Sequence, residues 1–244
     1  MIETEFPDFL FLLIIIFILT LVQSLFGVGL LVFGTPTLLI LGYPFFEVLS
    51  FLLPSSIVVS FLQVHRNWEQ INLYKLSVIK FILPMVLLGL YFTIFYIKFN
   101  FNLAVGLLLL FISLTRYSDK LNNSLRKYFR SRLKLGFLLT GIIHGFTNLG
   151  GALLVIITNG IYKDKSRVQP NIAYAYMFMA SIQLSLLFVT GNYIFSTGVF
   201  VYPLISGITF FLMGSHIFEK VSSRVYESLM TFLIFFYGLL LIFK

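Results

Sequence analysis

Residues 9–41 carry no charged side chain. A helix needs roughly 20 apolar residues to cross a bilayer, and in water a run of this length would have nothing to cover it. Similar runs recur to the end of the chain, so the sequence reads as an all-α, polytopic membrane protein. Composition agrees: 59% of residues are hydrophobic and 11% charged, against about 45 to 50% and about 25% in soluble domains. With 17 basic and 9 acidic side chains, too few ionisable groups exist to clothe a water-soluble globule. The 30 Phe and 13 Tyr supply lipid-facing area and interfacial belts. Cys is absent, which removes disulfides, thiolate nucleophiles and Cys-based metal sites.

Division at bilayer length predicts about eight transmembrane segments: 9–41, 46–64, 77–97, 101–115, 135–159, 170–190, 195–217 and 225–243. They group as two repeats of four, 1–115 and 135–244, joined by a basic linker at 116–134. The first run is too long for one straight helix, and Gly27, Gly29, Gly34 and Pro36 can break it. Pro170 is expected to open the sixth helix, where its missing N–H has no partner to lose. Seven basic residues lie in the linker (Arg116, Lys120, Arg126, Lys127, Arg130, Arg132 and Lys134), with Asp119 the one acid among them. A short basic connection between apolar runs marks the cytoplasmic side. Its charge serves retention beside anionic lipid, not nucleic-acid binding. Both the N-terminus and Lys244 then fall in the cytoplasm of a multi-pass protein of the cell (inner) membrane. The run behind the acidic opening residues exceeds the roughly 7 to 15 residues of a signal-peptide core, so no cleavable signal is expected.

A shift of 121 positions lays Gly27, Val28 and Gly29 over Asn148, Leu149 and Gly150, with Leu30 over Gly151, and a shift of 119 lays Pro84 over Pro203. Paired interruptions free backbone amides and carbonyls, which membranes tolerate only where protein or a watery cavity satisfies them. Half-helix N-termini present unpaired N–H groups and partial positive charge, so they hold anions without a buried Arg or Lys. The expected ligand is a small anion. Glycines also let membrane helices pack closely; for the paired motifs the site reading is preferred.

His144 precedes Asn148 by four residues, and the same shift places it over Gln23. An intramembrane ionisable residue is a functional candidate by default, so His144 is expected to bind the anion or carry a coupling proton, a neutral structural His being the competing reading. Ser55 and Ser56 follow Pro54 and are candidate oxyanion ligands, against the reading in which they bond their own backbone. Glu47, at the head of the second segment, is a further coupling candidate.

The motifs "GVGLLVFGTP", Gly27 to Pro36, and "NLGGALLVI", Asn148 to Ile156, resemble the paired glycine motifs of the TauE/SafE sulfite exporter family, also called the toluene sulfonate uptake permeases. The resemblance extends over nearly the whole chain through segment spacing, the basic linker and the Pro84 and Pro203 pair. Leu30, Leu31 and Asn148 depart from the family's glycines. Membership implies a secondary transporter of sulfite or of organosulfonates such as sulfoacetate, with Gly27, Gly29, Gly34, Pro36, Ser55, Ser56, His144, Asn148, Gly150 and Gly151 at the substrate. An anion channel or a carboxylate carrier would use the same donors. A membrane-embedded enzyme or an assembly factor is the more distant alternative, because three His, no Cys and few acids leave no nucleophile with its base and no metal cluster. No cofactor or metal is expected, and self-association is left open.

Overall fold

The computed structural model describes residues 5–71, 74–96, 100–195, 198, 200–214, 216 and 222–243. The end of the seventh predicted segment at Ile217, and Lys244, lie outside the described residues. The elements are α1 (Glu5–Phe26), α2 (Gly34–Ile40), α3 (Phe45–Arg66), α4 (Tyr74–Ser77), which passes through a π-helical stretch (Val78–Ile82) into α5 (Leu83–Phe95), α6 (Phe101–Tyr117), α7 (Asp119–Ser131), α8 (Leu133–Thr147), α9 (Gly150–Ile161), α10 (Lys165–Val189), α11 (Val201–Thr209), continued as π-helix (Phe210–Gly214), and α12 (Ser223–Ile242). The described residues are all-helical, without a strand. Four stretches are long and apolar enough to cross a bilayer, Phe9–Phe26, Phe45–Arg66, Lys75–Phe95 and Lys165–Val189. The chain is therefore a multi-pass helical membrane protein.

Its first and fifth predicted segments are not single crossings. A Cβ placed on Gly34 would lie 3.0 Å from Leu19 Cδ1, and one placed on Gly136 would lie 2.8 Å from Ile157 Cδ1. In straight helices those residues would stand about 22 Å and about 31 Å apart. The chain therefore turns back at residues 27–29 and again at 148–150, making helical hairpins of α1 with α2 and of α8 with α9. The return legs, of 7 and 12 residues, span about 10 Å and about 18 Å, short of the roughly 30 Å hydrocarbon layer. Apolarity alone does not distinguish a span from such a re-entrant pair.

Two further expectations are corrected. The basic linker is not a loop: α7 forms over it, with Leu121, Leu125 and Phe129 on one stripe four residues apart and the Ser118 side chain accepting from the Leu121 N–H at 3.4 Å. Axes of α6 and α7 meet at 102°. Pro170 does not open a helix either; α10 starts at Lys165, where Asp164 Oδ1 accepts from the Ser166 N–H at 3.0 Å. A cap with a carboxylate acceptor sets the start more strongly than a residue whose only merit is a missing donor.

Helices related by the shift of about 121 pack on one another in opposite directions. In α3 and α10, Asn171 Nδ2 donates to the Gln70 carbonyl at 2.9 Å at one end, and the Ile194 N–H donates to Ser50 Oγ at 3.0 Å at the other. In α6 and α12, Gly106 lies against Leu241 and Ile242 while Gly238 lies against Leu110. By contrast α8 runs parallel to α5, with Gly141 against Ile82 and Met85 and Gly145 against Val86 and Gly89. Parallel too are α1 and α11, joined by stacked Phe9 and Tyr202 rings at 5.6 Å and by Thr20 Oγ1 donating to Ser206 Oγ at 3.0 Å. Among the long spans α3 and α10 are the most buried, and the two hairpin tips rest on them.

Candidate functional site

Both tips are built by the same local rule. Gly27 has φ +71° and Asn148 φ +63°. Left-handed backbone suits Gly, which lacks a Cβ, and Asn more than most other residues. Each donates its N–H at 2.8 Å to the carbonyl four residues earlier, that of Gln23 or of His144. Two residues on, the chain crosses its own first leg. A Cβ on Gly29 would lie 2.3 Å from the Gln23 nitrogen, and one on Gly150 2.3 Å from the Thr140 carbonyl and 2.5 Å from His144 Cβ. Only glycine permits either crossing. The substitution of Asn148 for a motif glycine is thus compatible with the turn.

A glutamine from the following span secures each tip. Gln63 Nε2 donates to the Gln23 carbonyl at 2.9 Å, and Gln183 Nε2 to the His144 carbonyl at 3.4 Å. The carbonyl that closes the turn thereby gains a second donor. Gln169 Nε2, on α10, donates to the neighbouring Ser24 carbonyl. Sequence reasoning missed all three glutamines, although Gln63 and Gln183 are 120 positions apart and each interrupts an apolar run; that recurrence was the available signal.

The tips differ in how their side chains are satisfied. Gln23 uses its whole amide: Nε2 donates to Ser60 Oγ at 3.0 Å and to the Ser56 carbonyl at 3.2 Å, and Oε1 accepts from the Leu30 N–H at 3.1 Å, capping the return leg. His144 occupies the corresponding place; neither ring nitrogen makes a well-formed hydrogen bond, and the Gln183 side chain is the neutral polar group beside the ring. His144 is fully buried, with the Tyr176 ring edge-on at 5.7 Å. Asn148 Oδ1 and Gln183 Oε1 likewise lack a well-formed hydrogen bond. Asn148 Nδ2 donates to Thr35 Oγ1 at 2.9 Å, which ties the second tip to the return leg of the first hairpin.

The predicted site residues sort as follows. Gly27, Gly29, His144, Asn148 and Gly150 build the two tips, and Gly151 lies beneath the Tyr176 hydroxyl. Ser56 supports Gln23, whereas Ser55 Oγ is buried without a partner. Gly34 and Pro36 belong to the return leg, where Gly34 packs against Leu52 and Leu19. Glu47 is half-buried in the first turn of α3, nine residues and about 13 Å of helix rise from Ser56, so it is not brought to either tip.

The core around the tips is closed, with Gln23, Ser56, Ser60, His144, Asn148 and Gln183 all at 0% exposure. Two cavities lie elsewhere: one of about 610 Å³ near Tyr117, Asp119 and Phe232, and a shallow apolar groove of about 660 Å³ between α3 and α11. Every buried polar side chain among the described residues is uncharged or a histidine, with no Lys, Arg, Asp or Glu among them. The groups here that are free to donate are the Ser55 and Tyr176 hydroxyls and the His144 ring, whereas the Asn148 and Gln183 side-chain oxygens can only accept. Among the described residues no cluster of three metal-ligating side chains occurs.

Compared with known proteins, residues 12–241 match the family described as sulfite exporter TauE/SafE. Neither a curated protein nor a solved structure gave a match.

Proposed function

The chain belongs to the TauE/SafE sulfite exporter family, a family of membrane transporters, and from that premise we propose that it is a secondary carrier of small sulfur oxyanions, sulfite or organosulfonates such as sulfoacetate, in the cell membrane. The observation that carries this reading is the matched pair of buried hairpin tips. Two re-entrant hairpins meet on the central α3 and α10 helices, each with a glycine-dependent crossing and polar groups directed inward. Gly27, Gly29, His144, Asn148, Gly150 and Gly151 form the binding region. Residues 1–115 and 135–244 act as two inverted copies joined by 116–134, and relative tilting of the copies would open the closed centre to one side and then the other. A carrier fits better than a channel, because side chains at 0% exposure leave no continuous pore. The Ser55 and Tyr176 hydroxyls and the His144 ring supply hydrogen-bond donors in place of a fixed cation, which suits an oxyanion with several acceptor oxygens.

Uptake of labelled sulfite, sulfoacetate and a small carboxylate into proteoliposomes tests the reading. Saturable entry of the sulfur anions is the expected result. Absence of protein-dependent flux for any of them would remove it.

A further inference from the structure

The two tips have the same backbone and opposite side-chain bookkeeping, and that asymmetry assigns them different tasks. At the first tip Gln23 is saturated by Ser56, Ser60 and Leu30, so its side chain has no bond left to offer a ligand. At the second, His144 is fully buried, neither ring nitrogen makes a well-formed hydrogen bond, and the polar side chain beside the ring is the neutral amide of Gln183. A buried polar group without a partner is destabilising, and an ion there needs far more compensation than a neutral group. An anion entering this centre meets no Lys or Arg among the buried described residues. The α9 N-terminus offers about half a unit of positive charge, which leaves the remainder to His144.

We propose that the second hairpin moves a monoanion together with one proton carried on His144, so that transport is electroneutral; this rests on the carrier reading above. His144 sits in the last turn of α8, where the helix C-terminus favours a cation, while the N–H groups opening α9 six residues later favour an anion. One hairpin tip thus provides adjacent places for both charges. When the tip opens, a ring nitrogen takes a proton from water and the imidazolium N–H donates to the anion; on the far side the N–H bond breaks and proton and anion leave together. Tyr176, on α10, is the titratable residue whose ring lies edge-on to His144. The α9 sequence has none, and Tyr91 of α5 and Lys80 of the π-helical stretch are exposed. The basic residues of α7 and Lys134 lie toward the opposite end of α8, about 15 Å of helix rise from His144.

The test uses the full chain in proteoliposomes free of internal anion cargo, offered sulfite or methanesulfonate, the latter a sulfonate that does not itself titrate near neutral pH. Trapped pyranine reports protons and a valinomycin and potassium clamp sets the voltage. Lumenal acidification accompanying methanesulfonate entry, and sulfite and methanesulfonate rates that do not change with voltage, are the expected results. His144→Gln should abolish the acidification and make any remaining uptake rise with inside-positive voltage. Voltage-driven anion entry without protons in the unsubstituted chain would overturn the proposal and leave the carrier reading intact. Retention of proton movement by His144→Gln would overturn it equally. If that variant is inert, the unsubstituted chain decides alone; if no anion enters at all, the carrier reading falls first and this one with it.

Discussion

Gly27 and Asn148 stand 121 positions apart, share left-handed backbone at φ +71° and +63°, and close identical 2.8 Å turns onto the carbonyls of Gln23 and His144. For a residue with a Cβ that conformation costs roughly 1 to 2 kcal/mol. Asn148→Val should therefore destabilise the protein by about 2 kcal/mol or more, because it also loses the bond to Thr35. Asn148→Gly loses only that bond and should cost about 1 kcal/mol. Thermal unfolding in detergent distinguishes them, and equal losses would argue that φ is not what selects the residue.

The crossing glycines make a harsher prediction. Backbone atoms of the first leg stand 2.3 Å from the Cβ of any residue placed at Gly29 or Gly150, so even alanine forces the hairpin apart. Gly29→Ala and Gly150→Ala should each cost at least the roughly 1 to 3 kcal/mol typical of overpacking and abolish flux. Gly207→Ala, whose Cβ would meet only Val58 Cγ1 at 3.3 Å, is the control expected to fold and transport.

The fold class was legible because long apolar runs leave helices in lipid as the consistent solution. The turn-back was not. Residues 135–159 read as one span, since a hydrophobic count is blind to the sign of φ at Asn148 and to the close approach at Gly150. The glycine motifs did lead to the tips, through the shift that pairs Gly29 with Gly150. Gln63 and Gln183 escaped notice because neither titrates nor matches a motif, and their importance lies in which carbonyl they reach. In α7, the abundance of charge obscured a stripe of Leu121, Leu125 and Phe129.

Those glutamines should be separable from the ligand chemistry. Gln63→Met and Gln183→Met keep approximate side-chain length and remove one donor from each tip carbonyl. Each should cost about 1 kcal/mol, Gln63 more than Gln183 because 2.9 Å is a better hydrogen bond than 3.4 Å. Chemical or thermal denaturation of the single variants checks the order.

Asp164 governs an acid-sensitive helix start. Hydrogen bonds from Ser166 hold its carboxyl below the usual carboxylate range. A depressed folded value means the stabilising contribution is complete above the unfolded value of about 3.9 and is lost as pH falls through the folded one. Asp164→Ala should cost about 1 kcal/mol as the loss of a cap. Its stability difference from the unsubstituted chain should stay constant from about pH 5 to about pH 8 and shrink only below about pH 4. A difference that varied between pH 6 and pH 8 would point to another group.

Gln23 and His144 occupy one structural position and should respond in opposite ways to the same apolar replacement. Gln23→Leu leaves the buried Ser60 hydroxyl and the Leu30 N–H without their Gln23 partner and takes a donor from the Ser56 carbonyl, so a loss of about 2 to 4 kcal/mol is expected from several unmade bonds. His144→Leu breaks no well-formed side-chain hydrogen bond, and Gln183, the amide beside the ring, keeps its bond to the carbonyl of residue 144. The substitution removes two buried polar atoms, and the unliganded protein should be as stable as before or more so. Flux should nevertheless be lost, the usual sign of a group retained for function at a cost to stability. Melting curves and anion uptake on the same two preparations decide the matter. Were His144→Leu as destabilising as Gln23→Leu, the histidine would be serving the fold, and the functional asymmetry between the tips would have to be abandoned.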